Sequence, residues 1–255
     1  MSNVLKDKVK LEPGPSARSK EPECLISAEN TETDWKSADL GAIEFYAEVL
    51  PASYNQGSSK FGVLAGTQCG SIIATAAVMK KYKMIGTWNS VDLNNVLTIG
   101  TDYHSKNDSR NSRNYVDIND CKGVYELDGI SFNFTAEDFG VARTSFDNSQ
   151  TYLKTLEIIL DEIIEGHMDV SLVFAGYTFG LFCEQDFVYF FNSHCSTYLE
   201  NEAWSGSASV LKFDSEIAAE AVSNLIEGAY SPEDKASSND RTIQISVLTV
   251  TKQGD

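Results

Sequence analysis

The chain has 255 residues, of which 42% are hydrophobic and 22% are charged, a composition typical of a globular protein with a sizeable core. Its formal net charge of −17 disfavours nucleic acid and membranes as partners, because polyanions repel an acidic surface. The sequence contains no apolar run of about 18 residues and no apolar segment near its start, so we expect neither a membrane span nor a secretory signal. The acidity either only keeps the protein soluble or favours a substrate with a basic face.

The number and spacing of the cysteines and histidines further limit the kinds of site that the chain can form. The five cysteines are scattered and form no Cys-x-x-Cys pair, which argues against a disulfide framework and against a zinc site. Since the sequence has only three histidines, metal ligands are scarce, and we expect no metal and no cofactor. Unpaired cysteines are typical of a reducing compartment, so we expect a cytoplasmic protein.

The first half of the chain predicts a tail and then mostly helical structure. Residues 1–38 are rich in polar residues and proline, so we expect a disordered tail followed by a single domain over 39–255. A strand at 43–50, a loop at 52–62 and a helix over about 70–82 follow. In SVDLNNVLTIG we expect a short helix that begins at Ser90 or Asp92 and ends at Gly100.

The second half is richer in strands. A polar loop at 105–114 precedes a hairpin that turns at Asp128–Gly129, and the apolar stripe of 149–166 predicts a long helix. We then expect strands that start at 169, 177 and 186, a strand at 208–213, a helix at 214–228 and a strand at 242–250. Because the sheet comes late and the strands do not alternate with helices, this order predicts an α+β fold.

Cys69 is the candidate nucleophile. It closes the loop FGVLAGTQCG, at 61–70, directly before the predicted helix. A thiol attacks as the thiolate, and the partial positive charge of a helix N-terminus favours that anion. The competing interpretation is a small buried residue that packs a turn.

His194 is the histidine best placed to activate a thiol. His104 falls in a predicted polar loop and His167 at a helix end, whereas His194 ends an aromatic strand in YFFNSHCS. Strand ends that open into loops often carry functional side chains. Asn192 points to the same face two residues earlier and is predicted to orient the imidazole. Taken alone, His194 is better explained as a structural surface histidine.

Three segments resemble one family in order and spacing. The first is GTQCGSIIATAAVMKKY, and the third is FVYFFNSHCSTY. Between them lies the pattern formed by Trp88, Asp92, Leu93, Val96, Leu97 and Gly100. The segment SGSASVLKF follows all three. Together they resemble the cysteine protease domain of the herpesvirus large tegument protein, a group of deubiquitinases with a papain-like core. The resemblance covers roughly residues 45–215 and implies that 39–255 is a papain-like catalytic domain. In that fold the cysteine helix packs on a late antiparallel sheet that carries the histidine.

The resemblance also implies the site and its chemistry. It assigns Cys69 as nucleophile, His194 as acid and base, Asn192 as the orienting residue, and Gln56, thirteen residues before Cys69, as oxyanion donor. Without the resemblance, Gln56 is better explained as an exposed loop residue. The family has aspartate where this chain has Asn192, and asparagine orients an imidazole without supplying charge. Reduced activity, help from another carboxylate and an inactive relative therefore all stay open.

The resemblance further implies ubiquitin or polyubiquitin as partner, a host-cell intracellular location and hydrolysis at the C-terminal glycine of ubiquitin. We expect a monomer. Acidic residues near the cleft, Glu184, Asp186, Glu137 or Asp138, are candidates to bind arginines of the ubiquitin tail. Phe191, Tyr189 and Trp204 are candidates to line the cleft, although packing within the sheet explains Tyr189 and Phe191 better. The alternatives are a protease for a ubiquitin-like modifier, another Cys-His-Asn acyl-transfer enzyme, and a catalytically weak ubiquitin-binding module.

Overall fold

A computed structural model describes residues 34–39, 46–107, 115–145, 147, 151–195, 206–230 and 242–254. The helices are α1 (Cys69–Tyr82), α2 (Ser90–Lys106), α3 (Leu156–Glu165) and α4 (Ser215–Tyr230). The strands are β1 (Lys36–Asp39), β2 (Tyr46–Pro51), β3 (Gly123–Leu127), β4 (Ile130–Arg143), β5 (Val170–Phe174), β6 (Tyr177–Glu184), β7 (Phe187–Asn192), β8 (Ser209–Asp214) and β9 (Thr242–Lys252).

All nine strands belong to one sheet, in the order β1-β2-β8-β7-β6-β5-β9-β4-β3, and every neighbouring pair is antiparallel. The β3–β4 hairpin turns at Asp128 and Gly129, which have φ angles of 49° and 76°. Two successive residues with positive φ are what a tight two-residue hairpin turn requires, and Asp-Gly tolerates them. A mixed fold with a large antiparallel sheet is therefore confirmed.

Helices cover both faces of the sheet. One apolar cluster joins residues of α1 and α2 to Phe182 and Phe191, and the other joins residues of α3 and α4 to Leu181 and Phe190. Because neighbouring strand residues point to opposite faces, Phe190 and Phe191 of β7 serve different clusters. This packing covers the two faces of the sheet but not the ends of its strands, and the candidate site lies at one of those ends.

Helix α2 is longer than the sequence predicted. Asn89 is its N-cap, accepting bonds from the backbone of Val91 and Asp92, and the Asp92 carboxylate accepts from the Asn89 N–H in return. Gly100 does not end the helix; it lies where α2 crosses α1, and a Cβ there would come within 2.7 Å of the Ile72 Cα. This glycine therefore permits close packing of the helices rather than a C-cap.

Two other boundaries differ from the prediction. Strand β1 pairs with β2, so within the described residues the first regular element begins at Lys36, inside the segment predicted to be a disordered tail. Residues 1–33 lie outside the described part. Helix α3 begins at Leu156 rather than near 149. The preceding backbone instead bonds to the end of β4, because the Arg143 N–H and Nε donate to the carbonyls of Lys154 and Leu153.

We expect Gly100→Ala to lower the free energy of unfolding by about 1–3 kcal/mol, the usual cost of forcing volume into a close-packed contact. Gly228→Ala is the matched control, since Gly228 is exposed on α4 and its Cβ would meet nothing within 4 Å. That control should leave stability unchanged or raise it by up to about 1 kcal/mol, through helix propensity. Urea denaturation measures both, and equal effects would contradict the packing argument.

Candidate active site

Cys69 is the first residue of α1, as the sequence predicted, but its thiol is not exposed. Its side chain is buried, with 4% of the residue accessible, and the thiol donates a hydrogen bond of 3.4 Å to Thr178 Oγ1 on β6. Burial raises the pKa of Cys69 above its ordinary value of 9.0, and the hydrogen bond to Thr178 opposes this only in part. Desolvation therefore outweighs the helix N-terminus, and the resting sulfur is a neutral thiol.

His194 lies just beyond the end of β7, with its ring held by Asn192. Asn192 Oδ1 is 2.9 Å from His194 Nδ1 and 3.0 Å from the His194 backbone nitrogen. A backbone N–H only donates, so the Asn192 atom facing it is the oxygen, and Nδ1 must carry a proton to donate to the same oxygen. Nε2 is then the unprotonated nitrogen, which is the tautomer a general base needs.

Aromatic rings surround the imidazole. The ring of His194 lies 4.8 Å from the ring of Tyr177 and 5.7 Å from that of Phe179, centroid to centroid. This apolar surrounding desolvates the imidazole and lowers the pKa of His194 to about 3. Because Asn192 supplies no negative charge, nothing opposes the desolvation, and the imidazole is neutral at physiological pH.

Gln56 is buried beside His194 rather than exposed in a loop. Its backbone N–H donates to the carbonyl of Ser193 at 2.9 Å, and its Oε1 accepts from Ser193 Oγ at 2.8 Å. Only 2% of Gln56 is accessible, yet its Nε2 bonds to no residue in the described part of the chain. The amide thus keeps an unused donor at the site.

The loop of Gln56 is also tied to the start of α1. The Gln56 carbonyl accepts from the Gly66 N–H and from Gln68 Nε2, each at 3.0 Å. Gln68 precedes Cys69, and its side chain is fully buried between Gln56 and Thr101 of α2. These bonds hold the segment that contains Gln56 against the helix that carries the thiol.

The thiol and the imidazole meet consecutive residues of β6. The thiol contacts Thr178, whose side chain points to the α1 face, whereas the imidazole contacts Tyr177 and Phe179, whose side chains point to the other face. Within the described residues no hydrogen bond joins Cys69 to His194. The two groups are neighbours at the start of one strand but are not paired in this state.

A cavity of about 570 Å³ opens at this end of the sheet. Gln56 and His194 line it, and so do Gly66, Gly176 and the exposed Cys195, whereas the buried Cys69 does not. Three of the ten lining residues, Gly57, Gly66 and Gly176, are glycines, which leaves room for an extended chain of small residues.

Several expectations about recognition are wrong. Glu184 and Asp186 lie at the β6–β7 turn, at the opposite end of these strands from His194, and the Glu184 carboxylate accepts from the backbone of Ile85 and Gly86. Tyr189 and Phe191 are buried in the core, as the preferred interpretation of packing within the sheet predicted.

Glu137 and Asp138 do not line the cavity either. Glu137 and Asp138 lie on β4, which three strands separate from β7, and Asn119 Nδ2 donates to the Asp138 carboxylate. Trp204 lies outside the described residues.

Sequence reasoning missed the supporting residues Ser193, Gln68 and Thr178, because each is important through a contact with a distant segment. His104 is a different case, since it lies on the buried face of α2, with its ring next to Thr67 and Ser71, and not in a polar loop. Its helical spacing from Leu97 and Gly100 was the available signal.

None of the helices in the described part of the chain is both long and apolar enough to cross a bilayer.

Comparison with known proteins identifies the family. No curated protein sequence matches the chain significantly. Among solved structures, the ubiquitin-specific protease encoded by the murine cytomegalovirus tegument protein M48, crystallised with a ubiquitin-based suicide substrate, has a similar fold. It superposes with a TM-score of 0.63 at 16% sequence identity, over 81% of this chain and 88% of that one. The sequence profile described as "Herpesvirus tegument protein, N-terminal conserved region" matches residues 51–251, so the chain belongs to the herpesvirus tegument protein family that the motifs predicted.

Proposed function

We propose that this protein is a deubiquitinase with a papain-like active site, in which Cys69 attacks the carbonyl of the C-terminal glycine of ubiquitin. The observation that carries the proposal is the convergence at one sheet end of Gln56, His194 and the start of α1. The fold similarity to a protease that was crystallised with a ubiquitin-based substrate points to the same activity. The cavity, with three glycines in its lining, has room for the extended Gly-Gly end of ubiquitin.

The reaction begins from a neutral pair. For attack, the Cys69 side chain turns from Thr178 towards His194, whose unprotonated Nε2 accepts the thiol proton. The sulfur forms a bond to the glycine carbonyl carbon, and the carbonyl electron pair moves onto oxygen. When the carbon–nitrogen bond breaks, the proton on Nε2 passes to the leaving lysine amine and a thioester remains.

Water completes the cycle. His194 Nε2 removes a proton from water, the hydroxide adds to the thioester carbonyl, and the thiolate leaves and takes the proton back. The products are the free enzyme and ubiquitin with a C-terminal carboxylic acid, which releases its proton to solvent and becomes the carboxylate. Asn192 keeps Nδ1 protonated throughout, so the same nitrogen of His194 serves both half-reactions.

Two donors are available for the oxyanion. The Cys69 backbone N–H belongs to the first turn of α1, where N–H groups have no partner within the helix. Gln56 Nε2 is the second donor, because its amide oxygen is already engaged by Ser193. Removal of one oxyanion donor typically costs about 10²–10³ in rate.

One observation favours a second candidate, a ubiquitin-binding module with weak catalysis. The thiol is bonded to Thr178 instead of His194, and desolvation raises its pKa. In this alternative ubiquitin binds at the same cavity but does not turn Cys69 towards the base. The first experiment below separates the two candidates.

A ubiquitin whose C-terminus carries an electrophile should label the wild-type protein at Cys69, and Cys69→Ala should abolish both labelling and cleavage of di-ubiquitin. Cys183→Ala is the control, since Cys183 is buried on β6 away from the cavity. Intact mass and peptide mapping locate the adduct. Labelling of Cys69→Ala, or cleavage by it at the wild-type rate, would overturn the assignment. Binding without labelling of wild type would support the binding module.

The thiol should react slowly with a small electrophile until ubiquitin is bound. Because the pKa of Cys69 is raised above 9.0, alkylation of Cys69 by iodoacetamide at pH 7 should be slow and should accelerate above pH 9. The exposed Cys195 gives an internal reference in the same peptide map. If Cys69 reacts at neutral pH faster than Cys195, the neutral resting pair is refuted.

Asn192→Asp should raise the pKa of His194, because a carboxylate at Nδ1 stabilises the imidazolium and thereby the thiolate. We expect faster alkylation of Cys69 at pH 7 and a low-pH limit of activity that moves to higher pH, because a base with a raised pKa is protonated earlier as the pH falls. Asn192→Ala should lower kcat/KM by less than the roughly 10²–10⁴-fold that a general base contributes, since it removes orientation but leaves the imidazole. Cleavage of a fluorogenic ubiquitin amide from pH 5 to 9 measures both variants, and an unchanged Asn192→Asp profile would refute the role of Asn192.

A further inference from the structure

We propose that Ser193 is a positioning residue that fixes the orientation of the Gln56 side-chain amide, so that Nε2 and not Oε1 faces the reacting carbonyl. The inference rests on the proposed function and extends it to a residue with no chemistry of its own. Ser193 lies between Asn192 and His194, and its side chain is fully buried.

The hydrogen bonds around Ser193 define this role. Its hydroxyl donates to Gln56 Oε1 at 2.8 Å, and its carbonyl accepts from the Gln56 N–H at 2.9 Å. One residue therefore holds both the backbone and the amide oxygen of Gln56. The amide oxygen has no other hydrogen-bond donor within the described residues, so the orientation of the amide depends on this hydroxyl.

The orientation of the amide decides whether Gln56 stabilises or destabilises the developing oxyanion. An amide presents two donors at its nitrogen and only acceptors at its oxygen. If the amide rotated by half a turn, Oε1 would face the developing oxyanion, and two partial negative charges would repel each other. A preorganised donor stabilises the transition state without reorganising during the reaction, which is why a fixed amide is worth more than a mobile one.

The position of Ser193 also couples the oxyanion donor to the base. Asn192 Oδ1 orients the imidazole of His194, and the residue between them orients Gln56. The Gln56 carbonyl in turn accepts from Gln68 Nε2, next to the nucleophile. The three-residue segment 192–194 thus sets the geometry of the base and of the oxyanion donor together.

A double-mutant cycle between Ser193 and Gln56 tests the proposal. Ser193→Ala should lower kcat for a fluorogenic ubiquitin amide about 5- to 10-fold, the worth of a typical buried hydrogen bond, with KM unchanged. Ser193→Thr keeps the hydroxyl and should recover most of the rate if the protein folds. In a Gln56→Ala background, Ser193→Ala should have no further effect on kcat, because the amide it orients is gone.

Ser171→Ala is the control for a buried serine, since Ser171 Oγ on β5 has no hydrogen-bond partner among the described residues. It should leave kcat unchanged, and thermal unfolding of every variant shows that the fold is retained. An unchanged kcat for Ser193→Ala, or an equal loss in both Gln56 backgrounds, overturns the positioning role. Either result leaves the proposed function intact if the ubiquitin electrophile still labels Cys69, whereas absence of labelling in wild type refutes the function itself.

Discussion

The arrangement of the site depends on the hydrogen bonds that Gln56 makes through its backbone. Its N–H reaches the strand end that carries His194, and its carbonyl reaches Gly66 and Gln68 at the start of α1. Residues that are more than a hundred positions apart in the chain are thereby brought to one edge of the sheet. Because both backbone groups are buried, losing either bond would leave an unsatisfied polar group, which makes this junction costly to break.

Electrostatics keeps the resting site uncharged. Desolvation raises the pKa of the thiol and lowers that of the imidazole, so both shifts oppose a thiolate–imidazolium pair. An aspartate at position 192 would favour the thiolate–imidazolium pair. Asparagine fixes the tautomer of His194 but supplies no charge that would stabilise this pair. In the proposed mechanism, activation therefore depends on ubiquitin binding, which moves the sulfur away from Thr178. The same burial keeps the thiol away from small electrophiles in the solvent.

Much of the fold follows from local patterns. The helix after Cys69, the hairpin at Asp128–Gly129 and the strands from 177 and 187 were all predictable, because periodicity and turn chemistry act over a few residues. The errors arose where distant segments intervene. Gly100 was interpreted as a helix end, since nothing local shows that Ile72 packs on it, and the start of α3 is displaced by hydrogen bonds to Arg143.

The residues of the site likewise include some that local patterns predicted and others that they did not. Cys69, His194, Asn192 and Gln56 stood out through a helix start, a strand end and a spacing shared with one family. Ser193 and Thr178 did not stand out, because a serine or threonine in a strand has no pattern until its partner is known. The expectation that Glu184 and Asp186 lie near the cleft depended on their charge alone. The direction of β6 and β7 places them at the opposite end of these strands from His194.

Cys195 complicates the interpretation of inhibition experiments at this cavity. It is exposed, it lines the same opening as His194, and it follows that residue directly. A bulky adduct there would block the entrance sterically, although Cys69 itself stayed unmodified. Inactivation by a general thiol reagent would consequently not identify the reacting sulfur, and a chain with serine at position 195 is the cleaner background for any inhibitor screen.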